Sequence, residues 1–305
     1  HPSIAELSVS RFLYFVSSES SDYTTTVASH KPSRPGGCGH MADTVIIGTG
    51  IAGMSALKAI SEKEPKHKVV LVGDEDRLPY KRTKLSKNIA RGFTRDEFAL
   101  QDAEWFSERN VDLKLGTRVL AIDPRQRTVV LDGGERICWR RLIIATGARA
   151  RMPEVSGHAP DHCRTVRQAG DVEDLLKALD GKQSVLVVGA GVLGVEISEQ
   201  LWAKGHKVTL ISSGSSVMPR ELNPAAERTM RELLDAAEIE LKLKHRILSV
   251  NRAGGAADGI CVRTSAGELT ADQVVFAVGS VPETQLAVDA GVEVDDGVLV
   301  DEFLE

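Results

Sequence analysis

A chain of 305 residues is longer than one hydrophobic core readily fills, so two domains are expected. Its 42% hydrophobic and 27% charged residues are those of an ordinary globular protein, and no apolar run approaches the length that would cross a bilayer. A net charge of -5 without a basic stripe argues against a nucleic-acid partner.

The first 40 residues are rich in Ser, Thr and Pro, begin at His1 and show no helical period. They read as a leader outside the fold, upstream or non-native, with the folded chain starting at Met41. From Thr44 the pattern alternates between strand and helix. A strand over 44–47 runs into Gly48-Thr49-Gly50-Ile51-Ala52-Gly53, and the helix predicted over 51–62 places Ile51, Met54, Leu57 and Ile60 at three- and four-residue spacing. A strand over 68–72 ends at Gly73-Asp74. A short helix near 102–109 precedes strands at about 112–123 and 127–131, an antiparallel excursion from a parallel sheet. The strand through Arg141 and Ile144 then ends in Ala145-Thr146-Gly147.

A second unit begins near 155. Asp171 is expected to cap a helix over 172–179 that Gly181 stops. Val185-Leu186-Val187-Val188 meets a second glycine run, Gly189-Ala190-Gly191-Val192-Leu193-Gly194, and the helix after it carries Ile197 and Leu201. A strand over 207–211 follows. Asn223 and Pro224 open a helix to about Ala237. Strands recur at about 239–250 and 259–264, and Gln273 to Phe276 closes with Ala277-Val278-Gly279.

Each glycine run stands at a strand-to-helix turn, where backbone amides and the helix dipole can hold a pyrophosphate. Two such turns imply two dinucleotides, and a protein that binds two is most simply read as passing electrons between them. Asp74 follows Gly53 at the spacing of the Rossmann acid that takes ribose hydroxyls. The four cysteines, 38, 138, 163 and 261, form no CxxC or CxxxxC pair and read as reduced thiols. His158, His162 and Cys163 lie in a Pro-containing loop without a second ligand cluster; they read as exposed loop residues, and no metal is expected.

Both glycine runs, the Ala145-Thr146-Gly147 and Ala277-Val278-Gly279 turns, and above all Leu78-Pro79-Tyr80-Lys81-Arg82-Thr83-Lys84-Leu85-Ser86-Lys87, resemble the FAD-dependent pyridine nucleotide-disulfide oxidoreductases. The segment from Leu78 is similar to the PYxRPxLSK sequence of the ferredoxin and rubredoxin reductases, with Thr83 where that branch usually has proline. The resemblance implies an α/β fold of two Rossmann-like FAD/NAD(P)-binding domains, three-layered in the ββα manner, with the NAD(P) domain (155–279) inserted in the FAD domain (41–154 and 280–305). It implies FAD in the first and NADH or NADPH in the second. Gly48, Gly50, Ala52 and Gly53 would hold the FAD pyrophosphate, Asp74 its ribose, Arg82, Lys87, Thr146, Gly147 and Gly279 further parts of the flavin, and Val119 the adenine through its backbone. Gly189, Gly191, Val192, Leu193 and Gly194 would hold the nicotinamide coenzyme. Glu196 would approach the flavin and pair with Lys87, as the catalytic pair of that branch.

The second strand of the second unit is followed by Ser212-Ser213-Gly214-Ser215-Ser216, without the carboxylate that favours NADH and without an arginine before Arg220. With no cation placed for a 2'-phosphate, NADH is the expected coenzyme. The family's closing glycine-aspartate motif and interface domain are not in the sequence, which reads as a fragment truncated within the FAD domain. With no cysteine pair to relay electrons, these should leave the flavin directly for a small iron protein, a rubredoxin or ferredoxin, in the cytoplasm. Alternatives of the same motifs are an NADH oxidase and an NADH-responsive flavoprotein sensor that turns over negligibly.

Overall fold

The computed structural model describes residues 14–16, 40–157, 159–179, 184–253 and 259–305. In chain order the elements are β1 (Tyr14–Val16), β2 (His40–Ile47), α1 (Ile51–Lys63), β3 (Val69–Val72), α2 (Ala103–Ser107), β4 (Val111–Lys114), β5 (Val119–Asp123), β6 (Thr128–Leu131), β7 (Arg136–Ile144) and β8 (Ala148–Ala150). There follow β9 (Cys163–Thr165), α3 (Ala169–Ala178), β10 (Ser184–Val188), α4 (Val192–Ala203), β11 (Lys207–Ser212), α5 (Pro224–Ala236), β12 (Glu240–Leu243), β13 (Ile247–Arg252), β14 (Ile260–Thr264), β15 (Gly267–Ala271), β16 (Gln273–Phe276), β17 (Ser280–Pro282) and α6 (Gln285–Asp289). The chain divides into two compact units. One holds the chain up to Lys81, Arg95–Ala148 and Pro282–Glu305, the other Arg82–Thr94 and Arg149–Val281.

In the first unit the sheet runs β4-β3-β2-β7-β6-β5. The four strands from β4 to β7 are parallel, and β7, β6 and β5 continue antiparallel. The central parallel strands β2 and β3 are covered on both faces, and the two-residue period of a strand sorts their side chains. Ile46, Leu71 and Ile143 face α1, packing with Met54 and Leu57, while Val45, Ile47, Val70, Val72, Leu142 and Ile144 share a core with Val119, Ile122, Val129 and Leu131 of the antiparallel strands. Met54 and Leu57 are essentially inaccessible, each contributing about 1.5–3 kcal/mol of burial.

The second unit repeats the plan. Its parallel sheet runs β12-β11-β10-β16-β9, and a separate antiparallel sheet, β13-β14-β15, covers one face. Leu186, Val188, Ile211, Val274 and Phe276 meet Val250, Ile260, Val262 and Ala271 there. On α4 the buried positions are Gly194, Ile197, Ser198 and Leu201, one helical stripe. Both units thus have the three-layered Rossmann-like architecture expected from the sequence.

Several local readings differ. Tyr14–Val16 pair antiparallel with Leu142–Ile144 of β7, and β2 begins at His40; the remainder of the expected leader lies outside the described residues. Strand structure over 112–123 divides into β4 and β5 at Gly116, and that over 239–250 into β12 and β13 at Lys244, because both residues take positive φ, 60° and 58°, which ends a strand. Asp171 is not the N-cap of α3. It lies inside the first turn and its carboxylate reaches back to accept the Arg167 and Gln168 N–H groups at 2.7 and 2.8 Å, so the helix starts earlier, at Ala169. Gly181 lies outside the described residues. Ile51 is half exposed, since the first helical residue precedes the turn that packs on the sheet. The thiols are not all reduced: Cys138 is disulfide-bonded, while Cys163 and Cys261 are free.

Candidate dinucleotide sites

The two glycine turns are built alike. Gly48 and Gly189 take φ of 114° and 115°, open to glycine and strained for other residues, and a Cβ on either would overlap a backbone carbonyl: Ala145 after β7 for Gly48, Ala277 after β16 for Gly189. The turn therefore passes directly over the end of the neighbouring strand. Each is pinned on its other side as well, Gly48 N–H donating to Val72 O and Gly189 N–H to Ile211 O, both at 2.8 Å. Gly53 and Gly194 lie one turn into α1 and α4, where a Cβ would overlap the carbonyl oxygen of Gly48 or Gly189. These glycines let helix and strand approach closely.

Gly50 and Gly191 differ from the other glycines of the turns. A Cβ at either would meet nothing within 4 Å, so the backbone faces open space. Each is the N-cap of its helix, neither helix has a side-chain cap, and neither carries an acid in its first turn. The first-turn amides and the positive end of the helix dipole are left for an external anion. This donor set fits a dinucleotide pyrophosphate at both turns. Ala52 is buried, Val192 is exposed and Leu193 is half-buried in the respective first turns.

The other residues expected at the first site lie around the same end of the sheet. A Cβ on Gly73 would overlap the Thr49 side chain, so the end of β3 lies against the glycine turn and Asp74 follows immediately. Asp74 is exposed, with the Arg118 guanidinium 4.0 Å away. Val119 opens β5 and is buried. Thr146 donates its hydroxyl to Glu283 O at 2.7 Å, and Gly147 O accepts from Glu283 N–H at 2.9 Å, fixing the loop after β7.

Residues 82–94, read from the sequence with the first domain, group with the second unit because α4 holds them. Glu196 Oε2 accepts from the Ser86 hydroxyl at 2.6 Å, Lys87 Nζ stands 3.5 Å from Glu196 Oε1, and Gln200 Oε1 accepts the Ala90 N–H at 3.2 Å. The expected Lys87 and Glu196 are thus brought together. Ser86 and Gln200 are partners that sequence reasoning missed; the one available signal was that Glu196 and Gln200, four residues apart, share a helix face. Arg82 donates to Arg167 O at 3.4 Å, and Gly279 O accepts from Arg151 N–H at 2.9 Å.

At the serine loop, Ser212 ends β11 and its Oγ accepts from Gly214 N–H at 3.2 Å. Arg231, brought in by α5, donates to Ser215 O at 3.1 Å, yet its charge is matched by Glu227 at 2.6 Å. Glu227 also accepts the Val217 N–H at 3.1 Å, and this bond with the Arg231 hydrogen bond holds its carboxyl below the usual range.

His162 and Cys163 are not exposed loop residues. His162 is buried with Nδ1 2.9 Å from Asp272 O, tying the start of β9 to β16, and Cys163 is half-buried, its thiol pushed up by burial. His158 lies outside the described residues.

The pyridine nucleotide-disulphide oxidoreductase family model matches residues 42–305. The rubredoxin-NAD(+) reductase of Pseudomonas putida is 31% identical over 259 residues, 85% of this chain and 67% of that protein. The rhodocoxin reductase of Rhodococcus erythropolis is 33% identical over 262 residues, 85% of this chain and 61% of its own length. Among solved structures, a ferredoxin reductase from Rhodopseudomonas palustris superposes with a TM-score of 0.78 at 29% identity, covering 85% of this chain and 64% of that one. The chain therefore spans about two thirds of the length of such relatives. On two matched glycine turns, a repeated three-layer fold and this likeness along nearly all of its described length, the chain belongs to the pyridine nucleotide-disulphide oxidoreductase family.

Proposed function

We propose that the protein is an NAD(P)H-dependent FAD oxidoreductase that passes electrons to a small iron protein of the rubredoxin or ferredoxin kind. The observation that carries this is the pair of uncapped, acid-free helix N-termini, each preceded by a glycine turn open at Gly50 or Gly191. Gly48, Gly50, Ala52 and Gly53 hold the pyrophosphate of FAD, Asp74 takes its adenosine ribose, and Val119, Thr146, Gly147, Gly279, Arg82 and Lys87 complete its contacts. Gly189, Gly191, Val192, Leu193 and Gly194 hold the coenzyme, with Ser212 at its ribose.

Bound FAD would supply the redox chemistry, linking two-electron oxidation of the reduced nicotinamide to one-electron delivery to the acceptor. The chain's own groups bind and orient. Lys87 and Glu196 compensate each other's charge, so that neither stands alone when a ligand excludes water from them. Arg231 is already neutralised by Glu227 at the ribose loop, which supports NADH as the preferred coenzyme. Named relatives include NAD(+) reductases that act with rubredoxin and ferredoxin, which supports the same acceptors here. Among the described residues no helix is long and apolar enough to cross a membrane, and we place the protein in the cytoplasm, where reduced coenzyme is available.

The test is reconstitution of the purified chain with FAD, followed by anaerobic mixing with NADH or NADPH and then with rubredoxin or a ferredoxin. Bleaching of the flavin and reduction of the iron protein are expected. A flavin that bleaches but turns over negligibly with either acceptor would favour the sensor reading, and failure to retain FAD would refute the proposal.

A further inference from the structure

Two side chains one turn apart on α4, Glu196 and Gln200, hold the segment that carries Lys87. The contacts to Glu196 are unequal. Lys87 has a side chain 57% exposed and reaches the carboxylate at 3.5 Å, so a flexible, hydrated ammonium contributes little orientation. Ser86 is 6% exposed, and its hydroxyl, on a one-carbon stem, donates to Oε2 at 2.6 Å. A short bond from a buried donor to an ionised acceptor is the stronger and more directional of the two.

We propose that Ser86 is a positioning residue for the Lys87–Glu196 pair: by occupying Oε2 it fixes the carboxylate so that Oε1 is presented to Lys87. The inference rests on the oxidoreductase reading above. Lys87 then needs only to be near, since the plane of the carboxylate is set from the other side. The Gln200 bond to the Ala90 amide is independent of the hydroxyl and keeps the segment docked when the hydroxyl is removed, so Ser86→Ala is expected to fold.

Two measurements test this. In the first, the FAD-loaded chain is mixed anaerobically with NADH and flavin bleaching is followed in single turnover. Ser86→Ala is expected to lower the limiting rate about 10-fold, with the half-saturating NADH concentration within about 2-fold of the parent. Because the hydroxyl acts through the carboxylate, S86A/E196Q should bleach no more slowly than E196Q. In the second, without flavin or coenzyme, amide exchange of residues 84–90 should quicken in S86A and in E196Q, with no further increase in the double variant. A limiting rate unchanged in S86A, or effects of S86A and E196Q that multiply, would overturn the proposal. If the parent chain is not bleached by NADH at all, the oxidoreductase reading fails instead, and additive exchange effects would still overturn the coupling of Ser86 to Glu196.

Discussion

Replacing Gly194 by alanine adds one Cβ at a point where it overlaps the Gly189 carbonyl oxygen, while the same change at Gly191, three residues earlier, adds it into space with no heavy atom within 4 Å. The overlap at 194 is with backbone, and that backbone is held by the Gly189 N–H bond to Ile211 O at 2.8 Å, so no rotamer change relieves it. Overpacking of this kind costs about 1–3 kcal/mol, and the rigidity here puts it near the top. Alanine returns about 1 kcal/mol of helix propensity, leaving a net loss of about 2 kcal/mol. At roughly 2–4 °C per kcal/mol, Tm should fall by about 4–8 °C. Gly191, with φ of -85°, accepts alanine without backbone strain. Its loss as N-cap costs at most about 1 kcal/mol, but at the proposed coenzyme site the methyl group would stand where the pyrophosphate approaches, so coenzyme affinity should fall at least about 10-fold. Differential scanning calorimetry and titration with ADP-ribose, which needs no flavin, separate the two effects. A G191A chain that melts as early as G194A while binding ADP-ribose normally would refute the assignment of the two glycines.

Three further outcomes follow from the structure. Because Glu196 and Lys87 are partly exposed, Glu196→Gln should change stability by less than about 1 kcal/mol while slowing flavin bleaching, and a large fall in Tm without a rate effect would count against a functional pair. Glu227 has its folded pKa depressed below the ordinary 4.5, chiefly by the Val217 N–H and then by Arg231, so its hold on the loop is whole above pH 4.5 and is lost as pH falls through the lower folded value. Exchange of the Val217 amide should therefore become faster than its intrinsic pH trend below pH 4.5, and Glu227→Gln should abolish that dependence. Asn223 accepts the Ala225 and Ala226 N–H groups at the start of α5, at 3.1 and 2.9 Å, and Asn223→Ala should cost about 1 kcal/mol by denaturant unfolding with an unchanged m-value.

What could be read along the chain was whatever depends on near neighbours. The glycine turns, the helices that follow them and the Asn223-Pro224 helix start are local, because a backbone angle, a cap or a helical stripe is set by residues within a few positions. Strand ends were legible only where an apolar run stopped, so the breaks at Gly116 and Lys244, each a single positive φ, were placed by the fold. The Lys87–Glu196 pair came from resemblance to a family and not from spacing, since nothing local joins residues so far apart in the chain.

The sequence by itself determined the alternation of strand and helix, the two glycine turns and the acid after β3, because periodicity and glycine placement act over short range. Tertiary structure decided the rest. It buried His162 just ahead of β9, against the Asp272 carbonyl that precedes β16, brought Arg231 of α5 to the Ser215 carbonyl of the serine loop, and carried Ser86 and Ala90 onto α4. Each of these is a hydrogen bond between distant segments. Such bonds are chosen by packing and by the cost of burying an unpaired polar group, which become defined only when the sheets have formed.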